Sequence, residues 1–389
     1  MAPDEGIDPF ASLIEAAASP FAGTEGCDLL EALTIESCRQ AVRAFVKNVS
    51  SRVDLPTPLI TVLSNFSERI TKFEDAWDPV LGAIYHAQRN QDALFLSRVS
   101  VELAIRAHTA GEAGSWHLEF PFPTSIPLAT SLIDDVSALT AEADGQATWL
   151  EIVTQTGSIQ RVLVGSDGQS WHTGIREPTL ANFAYRTRED YSASPAPVEP
   201  EMVNALAGGI YLLDTTSPLY AEWVRRVVRQ VAPIQCHGTQ VSSWSSLHYP
   251  GLVSLTLFDS PLDMAETLVH EASHQRYHML DRCLPMIRLG AAETLAWSPI
   301  KQCHRPLPMI LLAFHAFGNI ALFFRDVRAS GALDHAGFRY HMSDLCAWLP
   351  AMAETLGCSR ALTCDGDRFW RDLYARVAPV LSEAEAITA

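Results

Sequence analysis

Positive charge is what this sequence is short of. Lysine and arginine together number 28 against 45 aspartates and glutamates, which leaves a formal net charge of −17. An acidic chain repels phosphate backbones and anionic lipid surfaces, so neither nucleic acid nor a membrane is an expected partner. The nearest thing to a basic patch, Arg225, Arg226 and Arg229, falls in a helix-like stretch and reads as a solvated face. Paired cysteines are missing too. The eight cysteines are scattered and form no CxxC, a density too low for a disulfide scaffold, so they are expected as free thiols. The opening MAPDEGIDPF is acidic and carries no long apolar run, so no export signal is expected there and the cytoplasm is the expected location. Internal repeats and low-complexity tracts are also absent. With 389 residues and 48% hydrophobic content, the chain has the material for a large core and for two to three structural units.

Long hydrophobic runs are nearly lacking. Only LPMILLAFHAFGNIALFF, 307–324, is free of formal charge over a length that reaches the membrane-spanning threshold. Pro308, His315, Gly318 and Asn319 interrupt it. A helix apolar all round is also what the centre of a large soluble protein needs, and a buried helix is the expectation.

What is present is mostly helical periodicity, and the fold class expected is α+β with helix predominant. Residues 1–190 form an N-terminal region. CDLLEALTIESCRQAVRAFVKNVS and DAWDPVLGAIYHAQRNQDALFLSRVSVELAIRAHTAG carry apolar residues at three-and-four spacing. A β-hairpin or small meander is expected over about 145–172, where apolar and polar residues alternate around the turn signals TGS and SDG. YSASPAPVEPEM, 191–202, is the linker candidate, and 203–389 is the expected metal-binding catalytic region. There a helical piece, SPLYAEWVRRVVRQVAPI, precedes LVSLTLF, which alternates as a strand does. Ser260 then makes a natural N-cap with Pro261 at the first helical position. Asp263 in the first turn suits the helix dipole. WSPIKQCHRPLP is expected as a loop set by its prolines.

The helix so started carries ETLVHEASHQRYH, with His270, Glu271 and His274 in the order HExxH. Positions four apart on an α-helix are offset by about 40° and about 6 Å along the axis, so the two imidazoles project side by side and can grip one ion. Glu271 lies about 100° round, near enough to handle a bound water. His278 sits about 80° from His270 and does not complete a three-histidine face. A third ligand must come from elsewhere. Glu293, 19 residues after His274 in an interval that resembles the glutamate-zincin arrangement, is one alternative; His315, alone in its apolar helix, is the other. Two histidines and a carboxylate suit zinc hydrolysis with Glu271 as general base. They also suit Fe(II) with open positions that activate O2.

The segment after the motif carries a resemblance. Trp297-Ser298-Pro299, then Arg305-Pro306, then the apolar run 307–324, following GLVSLTLF and ETLVHEASHQ, resemble the HExxH-type 2-oxoglutarate-dependent peptide β-hydroxylase family of ribosomally made, modified peptide pathways. The resemblance covers about 250–325 and departs from the family pattern at IKQCH after the Ser-Pro. It implies Fe(II), 2-oxoglutarate and O2, a peptide substrate, and hydroxylation of a side-chain carbon. In that chemistry Glu271 orients a ligand or a bound water instead of serving as a hydrolytic base. The distal carboxylate of 2-oxoglutarate needs a cation, for which Arg305 is the candidate. The alternatives are a zinc metallopeptidase and a non-catalytic peptide-binding partner.

Overall fold

The structure, a computed structural model, describes residues 9–21, 24–78, 81–82, 84, 93–109, 114–128, 131–143, 148–164, 179–180, 200–234, 243–245, 249–256 and 260–387. Helix predominates and the sheets are small. The chain opens with α1 (Pro9–Ala18), α2 (Thr24–Ser50), α3 (Thr57–Arg69), the single turn α4 (Phe73–Ala76) and α5 (Ala93–Thr109). An antiparallel meander follows, of β1 (Trp116–Leu128), β2 (Ser131–Ala143), β3 (Thr148–Thr154) and β4 (Ile159–Val164), hydrogen-bonded in chain order. Strands β3 and β4 fall inside the expected 145–172 meander; 165–172 lie outside the described residues. The pair β1–β2 was not expected. Its first strand contains FPFP, whose prolines cannot donate to a ladder, and the β1–β2 register shifts between Glu119 and Thr124.

The second half starts with α6 (Pro200–Thr216) and α7 (Pro218–Val227). A mixed sheet comes next. Strands β5 (Thr179–Leu180), β6 (Gln230–Pro233) and β8 (Leu252–Leu255) run parallel, with β7 (Ser243–Ser245) added antiparallel at the β8 edge. Strand β8 leads to α8 (Pro261–Cys283), and then come the hairpin β9 (Leu295–Ser298) and β10 (Cys303–Pro306), α9 (Leu307–Ala329), α10 (His335–Cys358) and α11 (Cys364–Ala386). Ser260 caps α8 as its sequence predicts, its Oγ accepting from Asp263 N at 3.3 Å with Pro261 in the first turn. The segment 297–308 is not a loop. Trp297 and His304 stand opposite each other across the hairpin, ring centroids 5.5 Å apart, while Pro299 falls in the connecting turn and Pro306 at the strand end. Prolines there bound a strand pair and do not forbid it.

Two hydrophobic cores form, and residue 190 does not divide them. One unites α2–α5 with the inner face of the meander, from Cys38 to Ile152. The other is built around α8 and α9, and it takes in Leu13, Ile14, Ala17, Ala18 and Leu30 from the first two helices. Trp77 belongs to this second core and its Nε1 donates to Val227 O at 3.0 Å. The linker candidate lies outside the described residues up to 199, and Pro200 already opens α6.

The apolar run is the core's axis. Helix α9 buries Phe314, Phe323 and Phe324 to 1% exposure or less, each worth roughly 1.5–3 kcal/mol of transfer free energy. It is the only described helix long and apolar enough to cross a membrane, and 72% of its most apolar window is buried inside the protein. Helix α8 packs beside it, with α6 on another flank. The close approach of α6 requires Gly209, where an added Cβ would stand 2.5 Å from Met264 Cγ. Gln275, fully buried, ties α8 to the sheet: its Oε1 accepts from Gly251 N at 2.9 Å and its Nε2 donates to Leu252 O.

Candidate metal centre

Helix α8 is sealed on nearly every side. Its partly open positions are Asp263, Glu266, Thr267, His270, His274 and His278, apart from its two ends. These fall at helical spacing on one stripe. An otherwise buried helix therefore turns a polar line towards solvent, and the two histidines of the motif stand in the middle of it.

His270 and His274 face each other with ring centroids 4.5 Å apart. Together with Glu271 they place one donor atom each within 4.8 Å of one another. Phe317 of α9 lies edge-on to His270 at 5.1 Å, and Trp348 of α10 stands against Phe317 at 5.4 Å. Glu271 is 1% exposed and points to the other side, where the hydroxyls of Ser243 and Ser245 on β7 face its carboxyl. Among the described residues its Oε2 has no hydrogen-bond partner, and neither does Nδ1 of His274.

Burial sets the protonation of all three groups. It pushes His270 down to about 4, with Lys301 adding a positive charge in the same direction. It pushes His274 well below the usual imidazole value, helped by His270, His278 and His315. It raises Glu271 to about 7, against the opposing pull of the nearby Ser243 and Ser245 hydroxyls. Two neutral imidazoles with free lone pairs and a carboxyl beside them are a donor set that fits a divalent transition metal. The orphaned Nδ1 and Oε2 are the atoms an ion would satisfy.

The proposed third ligands are not brought to the pair. Glu293 does not begin a helix: it sits in an exposed turn just before β9. His315 is buried between α9, α8 and α1, where Nε2 lies 3.0 Å from Ala18 O, and it is not one of the donors grouped with His270 and His274. The carbonyls of Ala17, Ala18 and Ser273 all favour a protonated ring nitrogen there, so the ring acts as a donor holding α1 to α9. Asn319 completes that clamp, donating to the same Ala18 oxygen at 3.0 Å. Among the described residues the donor atom grouped with the two imidazoles is a carboxylate oxygen of Glu271.

Arg305 and Lys301 both come from the hairpin. Cross-strand partners share a face of a sheet, and Arg305 pairs with Ala296, which packs on the core. Arg305 is accordingly half-buried and turned to the helices, whereas Trp297 on the opposite face is 49% exposed. Lys301 occupies the turn and its charge reaches His270. Nothing in the sequence singled out Lys301, Ser243, Ser245 or Trp348. No protein-family model matches the chain, and no curated protein matches it.

These protonation states give a pH signature. An ion near Glu271 favours its charged form, so binding expels one proton wherever that carboxyl is still protonated, below about pH 7. The imidazoles, His270 pushed down to about 4 and His274 held well below its usual value, are already neutral in this range and expel none. Metal affinity is therefore expected to fall about tenfold per pH unit between 7 and 5, a slope of one proton, and to be flat there in Glu271→Gln. Ordinary histidines would give a slope approaching two below about 6.5. Isothermal titration across this range distinguishes the two, and a slope of two in the variant would contradict the buried, neutral pair.

Proposed function

We propose that this chain is an Fe(II)- and 2-oxoglutarate-dependent hydroxylase that oxidises a side-chain carbon of a peptide. The observation that carries the reading is the donor atoms of His270, Glu271 and His274 within 4.8 Å of one another, with both imidazoles on the one open stripe of a buried helix. His270 and His274 would hold the metal. When bound, iron with 2-oxoglutarate supplies the oxidising power to put one oxygen of O2 into a C–H bond, the other leaving in succinate as CO2 departs. Phe317 and Trp348 shield one side of the imidazole pair and keep water from it. Glu271, beside the β7 serines, orients what lies between the histidines by accepting or donating one proton at its free Oε2. Arg305, turned inward, offers two parallel N–H groups to the distal carboxylate of 2-oxoglutarate. Lys301 adds long-range attraction for a dianion.

The test is succinate formation that requires both 2-oxoglutarate and anaerobically loaded Fe(II), with a gain of one oxygen in peptides encoded beside the gene. In Arg305→Ala the KM for 2-oxoglutarate is expected to rise about 10- to 100-fold, the worth of a charged hydrogen-bond pair, with metal content unchanged. An unaltered KM would remove Arg305 from the site.

One observation favours a second reading. A carboxyl raised to about 7 beside two metal-ligating imidazoles is poised as a general base, which suits a zinc peptidase. Zinc-dependent peptide cleavage by the wild type, lost in Glu271→Gln, with no succinate from the iron-loaded protein, would decide for it.

A further inference from the structure

Arg276 follows His274 by two residues, which turns it about 200° round α8 and away from the open stripe. It is 1% exposed, and its Nε and Nη1 meet no acceptor among the described residues. The guanidinium stands over the Trp223 ring of α7 at 5.7 Å, which offers it a π face but no lone pair. Trp223 is itself 3% exposed, and its Nε1 is likewise without an acceptor among the described residues. Two carboxylates of this neighbourhood serve another residue: Glu31 lies 2.8 Å from Arg226 Nε and Glu222 4.0 Å from Arg226 Nη1. The other arginine buried to 1%, Arg106, is matched by Asp75 and Asp78. Buried N–H donors are nearly always satisfied, so three nitrogens left open in one place mark where an acceptor arrives.

Cys27 is turned towards these donors. It lies in the first turn of α2, in step with Leu30 and Glu31 at helical spacing. Leu30 packs in the core around α8 and Glu31 reaches Arg226 of α7, so the thiol faces the same two helices, and α2 is in contact with α8. Of the ionisable groups that act on Arg276, Cys27 acts most strongly, ahead of Glu31. Gly26 fixes the start of α2 against α1, because an added Cβ there would collide with Ser12 O. The thiol is free and partly exposed, which admits a small reagent.

We infer that Cys27 is a modification site, oxidised to the sulfenic acid by hydrogen peroxide, with the open N–H groups of Arg276 holding the peroxide oxygen. The inference stands apart from the metal chemistry proposed above. The sulfur attacks one peroxide oxygen. The S–O bond forms as the O–O bond breaks, the sulfur gives up two electrons, and the departing oxygen takes the thiol proton and leaves as water. Negative charge develops on that departing oxygen, and donors already in place with no other acceptor stabilise it. Cysteines that react in this way sit at partly exposed, electropositive places, and the start of α2 adds its own N–H groups. The product brings an oxygen to donors that lacked one, and sulfenic acid is the reversible first rung of cysteine oxidation. The other described cysteines differ. Burial pushes Cys38 up to about 12 and also raises Cys283 and Cys346, while Cys303, Cys358 and Cys364 are simply exposed.

The test treats the full-length, zinc-loaded protein with hydrogen peroxide in the presence of dimedone, and mass spectrometry of the digest reads the adduct at each cysteine. Cys27 is expected to be labelled at least about tenfold faster than the exposed Cys303, Cys358 and Cys364, a modest share of what a placed donor supplies at a developing charge. The three exposed thiols are controls in the same sample. Unfolding in urea should bring all four to within about twofold of one another, because each thiol then has its ordinary reactivity. In Arg276→Gln, checked for wild-type melting temperature, Cys27 should lose its advantage. Cys27 labelled no faster than the exposed three in the folded wild type, or an advantage that persists in urea or in folded Arg276→Gln, would overturn the inference. The wild-type comparison, folded against unfolded, decides by itself if Arg276→Gln does not fold.

Discussion

Replacing His270 and His274 together by alanine is expected to weaken divalent-metal binding by at least about a thousandfold while the helical content stays that of the wild type. Losing an outer-shell partner of a ligand already costs about 10- to 100-fold, and here both nitrogen donors go. What remains among the described residues is the carboxyl of Glu271, which burial keeps protonated up to about 7 and which alone makes no chelate. The fold should survive, because the two rings lie on the partly open stripe of α8. Its anchoring residues, Leu268, Val269, Ala272 and Gln275, are untouched and fully buried. Two controls sharpen the test. Glu293→Ala and His315→Gln should leave the affinity within about twofold, since one residue is an exposed turn carboxylate and the other is committed to Ala18. An anaerobic competition titration against a chromophoric chelator reads all three variants. A double-alanine protein that still takes up one equivalent at wild-type affinity would place the metal elsewhere, and a His315→Gln protein that loses it would restore that residue as a ligand.

The helix that carries the site was legible because its signals are local. Ser260, Pro261 and Asp263 set its start, and the histidine spacing is a property of any α-helix. The burial of 307–324 was legible for the same reason, as composition and length decide it. The walls of the site were not. Ser243 and Ser245 reach Glu271 only because β7 adds antiparallel to β8, a pairing that nothing in SSWSS announces. Trp348 stands near the site because α10 lies along α9, and in sequence it is one aromatic in a helix.

Neither third-ligand alternative joins the His270, Glu271 and His274 group, and the reasons are opposite. AAETLAW is rich in helix formers, but Leu295 pairs with Pro306 in the hairpin and Gly290 precedes it at φ 79°; tertiary pairing overrode propensity. His315 looked unexplained in an apolar helix because the carbonyl it serves lies 297 residues away. The same hairpin gave Arg305 its inward aim, a matter of register that a proline-rich stretch conceals.

A second large effect is expected far from the histidines, where the two cores meet. Arg106 on α5 is 1% exposed; its Nε lies 3.0 Å from Asp78 Oδ2 and its Nη2 3.1 Å from Asp75 Oδ1. Removing the guanidinium in Arg106→Met would take the cation from two carboxylates that are 9% and 7% exposed, and breaking such a pair costs roughly 3–5 kcal/mol. The neutral triple variant, Arg106→Met with Asp75→Asn and Asp78→Asn, should recover most of that loss, because the penalty comes from the uncompensated charge and the ion pairs add little net. Urea unfolding followed by tryptophan fluorescence measures both. A single variant within about 1 kcal/mol of the wild type would show that water reaches the aspartates. The effect bears on the candidate metal centre through Trp77, which sits between Asp75 and Asp78 in the chain. Its indole donates to Val227 O, and its carbonyl oxygen lies 3.4 Å from where a side chain at Gly251 would begin. Gly251 is also the residue that Gln275 of α8 holds. Metal affinity in Arg106→Met should thus fall only under urea concentrations that begin to unfold the α4–α5 region. A loss of affinity before any unfolding would mean that this contact positions α8 in the native state as well.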